Sequence, residues 1–179
     1  MKQRTRSITF GGLFLALALF LPFVTGQIPQ IGKMLSPMHL PIMLCGFVCG
    51  GPMGLALGFI APLLRSVLFG MPVLYPTALS MAFELAAYGF FCGLFWELLC
   101  RVLGDIPALY GALVLAMLAG RAVWGISQVI LLGIGHNGFT WAAFLSGAFI
   151  NAVPAIVMQL LLVPPLTLAL RRVGLGARV

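Results

Sequence analysis

Long apolar stretches, separated by short clusters of Gly, Pro and polar residues, make up most of this chain of 179 residues. Two of the clusters are TGQIPQIGK and GIGHNG, and such compositions end helices. The apolar stretches are long enough to form helices rather than buried strands. The pattern therefore predicts an all-α protein with six helices, over residues 8–25, 38–50, 52–69, 77–101, 107–133 and 141–171.

The second predicted helix is short. Residues 38–50 would rise about 20 Å, which is less than the roughly 30 Å of a bilayer's hydrocarbon core. An alternative is that residues 38–69 form one kinked helix, which would reduce the number of membrane spans to five. The distribution of charge decides between the two interpretations.

Composition places the chain in a membrane. Hydrophobic residues make up 62% of it and charged residues only 7%, whereas soluble domains carry about 25% charged residues. Six of the ten basic residues flank the apolar body, as the positive-inside rule expects of cytoplasmic ends: Lys2, Arg4, Arg6, Arg171, Arg172 and Arg178. Two cytoplasmic termini require an even number of spans, which favours six.

The formal net charge of +7 does not indicate nucleic-acid binding. The chain has no basic stripe with interleaved aromatic residues, which such binding would need. No polar linker is long enough to separate two domains, so residues 1–179 are expected to form one membrane domain. The start MKQRTR leads into a polytopic body without an A-x-A-like cleavage site, so no signal peptide is expected.

Polar side chains within the predicted helices lie mostly in the outer half of the membrane or at its midplane. Charges are expensive in a bilayer, so such residues are expected to face the bundle interior or a cavity, and to be functional. These polar residues are His39, Arg65, Glu84, Arg121, Gln128 and Asn151.

Helical spacing places several of these residues on common faces. Residues three and four apart lie on one side of a helix, and three sets follow that spacing: Thr77, Ser80, Glu84 and Tyr88; Arg121, Trp124 and Gln128; and Trp141, Phe144, Ala148 and Asn151. Together these faces would line a pocket that opens outward.

Two interpretations of the charges stay open. Arg65 and Glu84 could form a purely structural ion pair, which would leave Arg121 without an acid. One acid against two bases leaves a charge of about +1, which a substrate carboxylate or phosphate could match. Backbone carbonyls or Asn151 could also satisfy Arg121 without any ligand.

The aromatic residues and the histidine are similarly ambiguous. Trp124 and Trp141 could pack against neighbouring helices or sit at the membrane interface, or they could form a stacking wall for a flat ring. A lone His39 is more often a satisfied polar residue than a ligand.

Recognisable catalytic and metal-binding motifs are missing. The sequence has no H-E-x-x-H, no G-x-S-x-G and no Walker A motif, so an enzyme is not expected and transport would need a gradient or an energising partner. Four cysteines lack metal-ligand spacing and are interpreted as small buried hydrophobic residues: Cys45, Cys49, Cys92 and Cys100.

The first helix carries small residues in ITFGGLFLALAL. Gly12 and Ala16 are four residues apart, and small residues at that spacing let a second helix approach closely. The partner could be another protein or a helix of the same bundle.

The chain resembles the substrate-binding S components of energy-coupling factor (ECF) transporters over nearly its whole length. RTRSITFGGLFLALALFLPF resembles the first helix of that family, with its patch of small residues. MLSPMHLPIMLCGFVCGGPMGLALGFIAPLLRSVLFG resembles the second and third helices, with a short Gly-Pro turn between them. No motif matches the thiamine, riboflavin, biotin or cobalamin subfamilies, and the start MKQRTR differs from the Met-His start of the metal-binding branch.

This resemblance implies a six-helix subunit of a bacterial plasma-membrane importer. It would bind a vitamin or related small micronutrient near the outer face, beneath the first outer loop. It would assemble with a transmembrane T component and two ABC ATPases, meet the T component through Gly12 and Ala16, and topple in the membrane to carry its ligand inward. No cofactor, metal or catalytic residue is implied.

The sequence hypothesis is therefore an S component for an organic, anionic substrate. Arg65 would contact the substrate or hold Glu84 in place. The pocket would be lined by Arg65, Glu84, Arg121, Trp124, Gln128 and Asn151, with His39, Tyr75, Asn137 and Trp141 at its mouth. The alternatives are a stand-alone secondary transporter, which would work without ATPases, and a small intramembrane enzyme, which would need a reacting constellation.

Overall fold

The computed structural model describes residues 2–24, 36–134 and 140–173, and these ranges contain helices and no strands. Within these ranges, seven α-helices run in the order α1 (Lys2–Val24), α2 (His39–Cys49), α3 (Gly51–Phe69), α4 (Leu79–Leu99), α5 (Asp105–Ile134), α6 (Trp141–Leu145) and α7 (Val153–Arg172). A π-helical segment, Leu74–Ala78, precedes α4, and a second one, Ser146–Ile150, follows α6.

Five of these helices are long and apolar enough to cross a membrane: Ser7–Val24, Gly51–Phe69, Leu74–Leu99, Asp105–Leu132 and Val153–Arg172. The shorter apolar helix α2 has only 11 residues. The expectation of an all-helical integral membrane protein is confirmed. The six predicted spans correspond to five helices of membrane-spanning length and one shorter apolar helix.

The final predicted helix, 141–171, is wrong as one continuous element. It divides into α6, a π-helical segment and α7, with a turn at Asn151 and Ala152. Pro154 lies in the first turn of α7, and its ring nitrogen has no hydrogen to donate to the carbonyl of Ile150, four residues earlier. The Asn151 amide bonds instead to the Ser146 carbonyl, five residues back, which completes a π-type turn.

The short helix α2 lies in the middle of the bundle. All of its residues from His39 to Val48 are buried, and it contacts α1, α3, α4 and α7. A helix surrounded by other helices does not need the length of a lipid-facing span. Its position explains why only 11 residues suffice here.

The helices α3 and α4 pack with their backbones in contact. A Cβ atom added to Gly54 would lie 2.5 Å from the Gly89 carbonyl oxygen, and one added to Gly51 would lie 2.9 Å from the Phe90 carbonyl oxygen. Both distances are shorter than real Cβ contacts, so only glycine fits at these positions. Close approach of this kind, through small residues, is a common way for helices to associate in membranes.

Candidate functional site

A buried ion pair joins α4 to α5. Nη1 of Arg121 donates a hydrogen bond of 3.0 Å to Oε1 of Glu84, and both side chains are buried. The first residue of α2 completes the group, because Nε2 of His39 lies 3.6 Å from the same carboxylate oxygen. Three helices thus contribute one ionisable side chain each to a single buried cluster.

The arrangement corrects one interpretation of the charges. One of the two open interpretations paired Glu84 with Arg65 and left Arg121 without an acid, but Glu84 pairs with Arg121. Arg65 extends toward α1, where its Nη1 donates a hydrogen bond of 2.6 Å to the Leu19 carbonyl. Its guanidinium carbon also lies 4.9 Å from the ring centre of Phe23 and 5.5 Å from that of Phe69.

Arg65 therefore fastens α1 to α3 and does not hold Glu84. A hydrogen bond to a backbone carbonyl and two aromatic faces satisfy a buried guanidinium without an acidic partner. Direct contact between Arg65 and a substrate stays a prediction.

A second polar layer lies next to the ion pair. Nε2 of Gln128 on α5 donates to Oγ of Ser80 on α4 at 3.4 Å, and that hydroxyl donates to the Thr77 carbonyl at 3.0 Å. Ser80 precedes Glu84 by one helical turn, and Gln128 follows Arg121 by about two turns. The polar stripes predicted on these two helices thus face each other, as the spacing indicated.

Tyr88 closes the other side of the cluster. Its fully buried ring meets the imidazole of His39 edge-on, with 5.2 Å between ring centres, and lies 6.0 Å from the guanidinium carbon of Arg121. A Cβ on Gly120 would lie 2.8 Å from this ring, so glycine makes room for it. Tyr88 follows Glu84 by one turn and belonged to the predicted stripe, but not to the predicted site.

Several buried polar atoms of this cluster have no hydrogen-bond partner among the described residues. Native proteins pair nearly all such atoms with protein, water or ligand. The atoms are both imidazole nitrogens of His39, the hydroxyl of Tyr88, Nε and Nη2 of Arg121, and Oε1 of Gln128. The cluster therefore offers both donors and acceptors to a small polar molecule.

Sequence reasoning missed two buried polar side chains on α7. Gln159 and Thr167 are fully buried, as is Val163 between them. The amide of Gln159 and the hydroxyl of Thr167 have no hydrogen-bond partner among the described residues. Their spacing of eight residues, with Val163 midway, places them on one helix face and is visible in the sequence.

The predicted aromatic wall forms a continuous stack between α5 and α6. Phe144 stacks on Trp124, with 6.1 Å between ring centres, and on Trp141, with 5.1 Å. Glycine makes this contact possible, because a Cβ on Gly125 would lie 2.5 Å from the Phe144 ring. Trp124 takes part in packing between helices, whereas Trp141 contacts Phe144 on its own helix and exposes 71% of its surface.

Of the other predicted site residues, Tyr75 and Asn151 are not part of the buried cluster. The hydroxyl of Tyr75 donates to the Leu131 carbonyl and ties the first π-helical segment to α5. Asn151 is exposed, and its Nδ2 donates to Oγ of Ser146 at 3.1 Å within the same turn. Asn137 lies outside the described residues.

The predicted partner surface lies on the outside of α1. Gly12 and Ala16 are exposed, and a Cβ on Gly12 would meet no described atom within 4 Å. The neighbouring Gly11 and Ala18 are buried and face the bundle. The small-residue pair is therefore free of intramolecular packing in the part of the chain that the structure describes.

The described residues contain no cluster of side chains that could hold a metal ion. No three His, Cys, Asp or Glu side chains of residues 2–24, 36–134 and 140–173 come together there as a metal site would require. The polar centre is built from one ion pair together with an imidazole, a phenol and an amide.

These features define an all-helical integral membrane protein with a buried polar centre between α2, α4 and α5. The family model described as the ECF transporter substrate-specific component matches residues 6–167, so the chain belongs to this family. No curated protein and no solved structure shows significant similarity to it. Membership makes the protein the substrate-specific subunit of an importer, which works with a T component and ATPases on a small-molecule substrate.

Proposed function

We propose that the protein is the high-affinity binding subunit of an ECF-type importer for a vitamin or related small organic micronutrient. The observation that carries the proposal is the buried cluster of His39, Glu84, Tyr88, Arg121 and Gln128, with its unpartnered donors and acceptors among the described residues. Leaving one such buried group unsatisfied costs about 1–3 kcal/mol. A ligand that satisfies several of them together gains both affinity and specificity.

An anionic substrate is compatible with the cluster, for a reason different from the one first expected. Glu84 occupies Nη1 of Arg121, while Nε and Nη2 have no partner in the described residues. These two N–H groups lie along one edge of the guanidinium and match the two oxygens of a carboxylate. Arg121 and Glu84 cancel in charge, so affinity for an anion would rest on these N–H donors rather than on a net charge.

The pocket is proposed to open toward the outer face of a bacterial plasma membrane, with six spans and both termini in the cytoplasm. The basic residues at the two chain ends support this orientation. Under it, Trp124 and Trp141 would offer a wall to a flat ring, Asn151 would line the pocket, and Tyr75 would lie at its mouth. Arg65 is kept as a proposed pocket residue, although its Nη1 donates a hydrogen bond to the Leu19 carbonyl.

The T component is proposed to dock on the exposed face of α1. Gly12 and Ala16 lie there with exposed apolar neighbours such as Ile8 and Phe20, which continue the same four-residue spacing. Docking through this face would leave the polar cluster free to hold its ligand while the subunit topples.

Native mass spectrometry of the detergent-purified protein tests the proposal first. A co-purifying molecule of defined mass would identify the substrate, and a vitamin panel followed by thermal unfolding would rank related ligands. Gln128→Leu should weaken binding about threefold to tenfold, the effect of losing one hydrogen bond. Ser127→Ala is the matched control, because its hydroxyl bonds, within the described part of the chain, to the Val123 carbonyl of the same helix.

Two outcomes would contradict the proposal. One is an apo spectrum together with no thermal shift across the panel. The other is uptake into proteoliposomes by this chain alone, without T component or ATPases, which would mean a stand-alone transporter.

A further inference from the structure

A cavity lies near the other end of α4. It has a volume of about 910 Å³ and is bordered by the end of α4, the start of α5 and the end of α7. Its wall residue Trp96 follows Glu84 by twelve positions, which corresponds to about 18 Å along the helix. The cavity is therefore separate from the proposed substrate site.

Positive charge dominates the lining of this cavity. Arg101, Arg171 and Arg172 lie around it with one acid, Asp105, so its formal charge is +3 − 1 = +2. Guanidinium groups recognise phosphate and carboxylate oxygens through paired N–H donors. The lining thus selects an anion.

Trp96 provides a second and independent indication of a ligand. The indole is only 5% exposed, and its Nε1–H has no hydrogen-bond partner among the described residues. The guanidinium carbon of Arg171 lies 4.4 Å from the centre of the Trp96 ring, which holds the arginine beside the cavity. An anion bound there could accept from the indole N–H as well as from the arginines.

The rest of the lining is apolar and sits where a membrane span ends. Ile106, Pro107 and Leu168 form part of the wall. The membrane-length helices Asp105–Leu132 and Val153–Arg172 begin and end beside the cavity. Basic pockets between helices at this level bind the headgroups of acidic lipids, whereas a free phosphate ion would make no use of the apolar wall.

We propose that this cavity binds the phosphodiester headgroup of an anionic phospholipid. The arginines and the Trp96 N–H would surround the phosphate, and the apolar wall would contact the glycerol and the acyl chains. The bound lipid would join the ends of α4, α5 and α7 at the membrane surface. The site does not depend on which substrate the other end of the bundle binds.

Native mass spectrometry of the full chain, with added lipids, tests the assignment. Phosphatidylglycerol should bind about tenfold more tightly than zwitterionic phosphatidylcholine. Arg171→Gln should weaken phosphatidylglycerol binding by about tenfold. Trp96→Phe keeps the ring, removes the N–H donor and should weaken binding by about threefold.

Lys2→Gln is the control for general attraction to a negative surface, because it removes one positive charge from the basic chain start without altering the cavity lining. It should change phosphatidylglycerol binding by less than about twofold. Thermal unfolding of each variant verifies that it is folded.

Three results would overturn the assignment. Equal binding of the two lipids, unaffected by Arg171→Gln and Trp96→Phe, would show that the cavity selects no headgroup. Displacement of phosphatidylglycerol by millimolar inorganic phosphate would make free phosphate the ligand. Displacement by the assembled T component would make the arginines a protein-docking surface.

Discussion

Removing one partner of the Glu84–Arg121 pair should destabilise the protein more than removing both. Glu84→Leu leaves the Arg121 guanidinium buried without its carboxylate. The two charged atoms lie 3.0 Å apart, and at an effective dielectric constant of about 20 their attraction is about 5 kcal/mol. Breaking a buried pair from one side costs about 3–5 kcal/mol, so a loss of that size is expected.

The second single variant, Arg121→Met, tests whether His39 compensates for the loss of Arg121. Arg121→Met leaves Glu84 with the imidazole of His39 3.6 Å away, so Glu84 keeps a group that can carry compensating charge. Arg121→Met should therefore lower the free energy of unfolding by less than Glu84→Leu does. The double variant removes both charges, and because an apolar replacement of a buried pair is often close to neutral, it should recover at least about 2 kcal/mol relative to Glu84→Leu.

Reversible unfolding in mixed micelles by sodium dodecyl sulfate, followed by circular dichroism, measures these free energies. Glu97→Gln is the matched control, since Glu97 is an exposed acid on the same helix, and it should change stability by less than about 0.5 kcal/mol. Additive effects of the two single variants, within about 0.5 kcal/mol, would refute the reasoning because they would show that the two side chains do not interact.

Three further predictions concern packing and partner binding. Gly54→Ala should lower the free energy of unfolding by about 1–3 kcal/mol, because its methyl group would collide with the Gly89 carbonyl; Gly12→Ala, which meets no described atom, is the control, and equal stabilities would contradict the close contact. Arg65→Met should lower it by about 2–3 kcal/mol through the lost hydrogen bond to Leu19, and a change below about 0.5 kcal/mol would contradict a fastening role. Gly12→Leu should leave ligand binding intact and block uptake in proteoliposomes containing T component and ATPases, so continued uptake would locate the docking surface elsewhere.

The helices could be predicted from the sequence because the residue types at their ends mark where they stop. Gly and Pro clusters separate apolar runs, and α2 to α5 occur within a few residues of the predicted ranges. The break in the last predicted helix also has a local cause, Pro154, which the long apolar run around it obscured. The burial of α2 on all sides is different, because it depends on the order in which the other helices pack.

The site could be predicted in part for the same physical reason. Three- and four-residue spacing placed Ser80 and Glu84 on one face of α4, and Arg121 and Gln128 on one face of α5; the structure brings these two faces together. The partner of Glu84 could not be predicted. Depth in the membrane follows from position along a helix, but the direction in which Arg65 points depends on the rotation of α3 about its axis, which only packing against α1 fixes.

The backbone contact between α3 and α4 limits which parts of the helix bundle can change position. A Cβ atom added to Gly89 would lie 2.3 Å from the Gly54 carbonyl oxygen, and one added to Gly93 would lie 2.2 Å from the Gly51 nitrogen, so a larger residue at either position would push the two helices apart. The two π-helical segments lie outside this glycine contact, and their wider hydrogen-bonded turns are common at functional sites. We therefore expect a ligand that enters the polar centre to leave the contact between α3 and α4 unchanged.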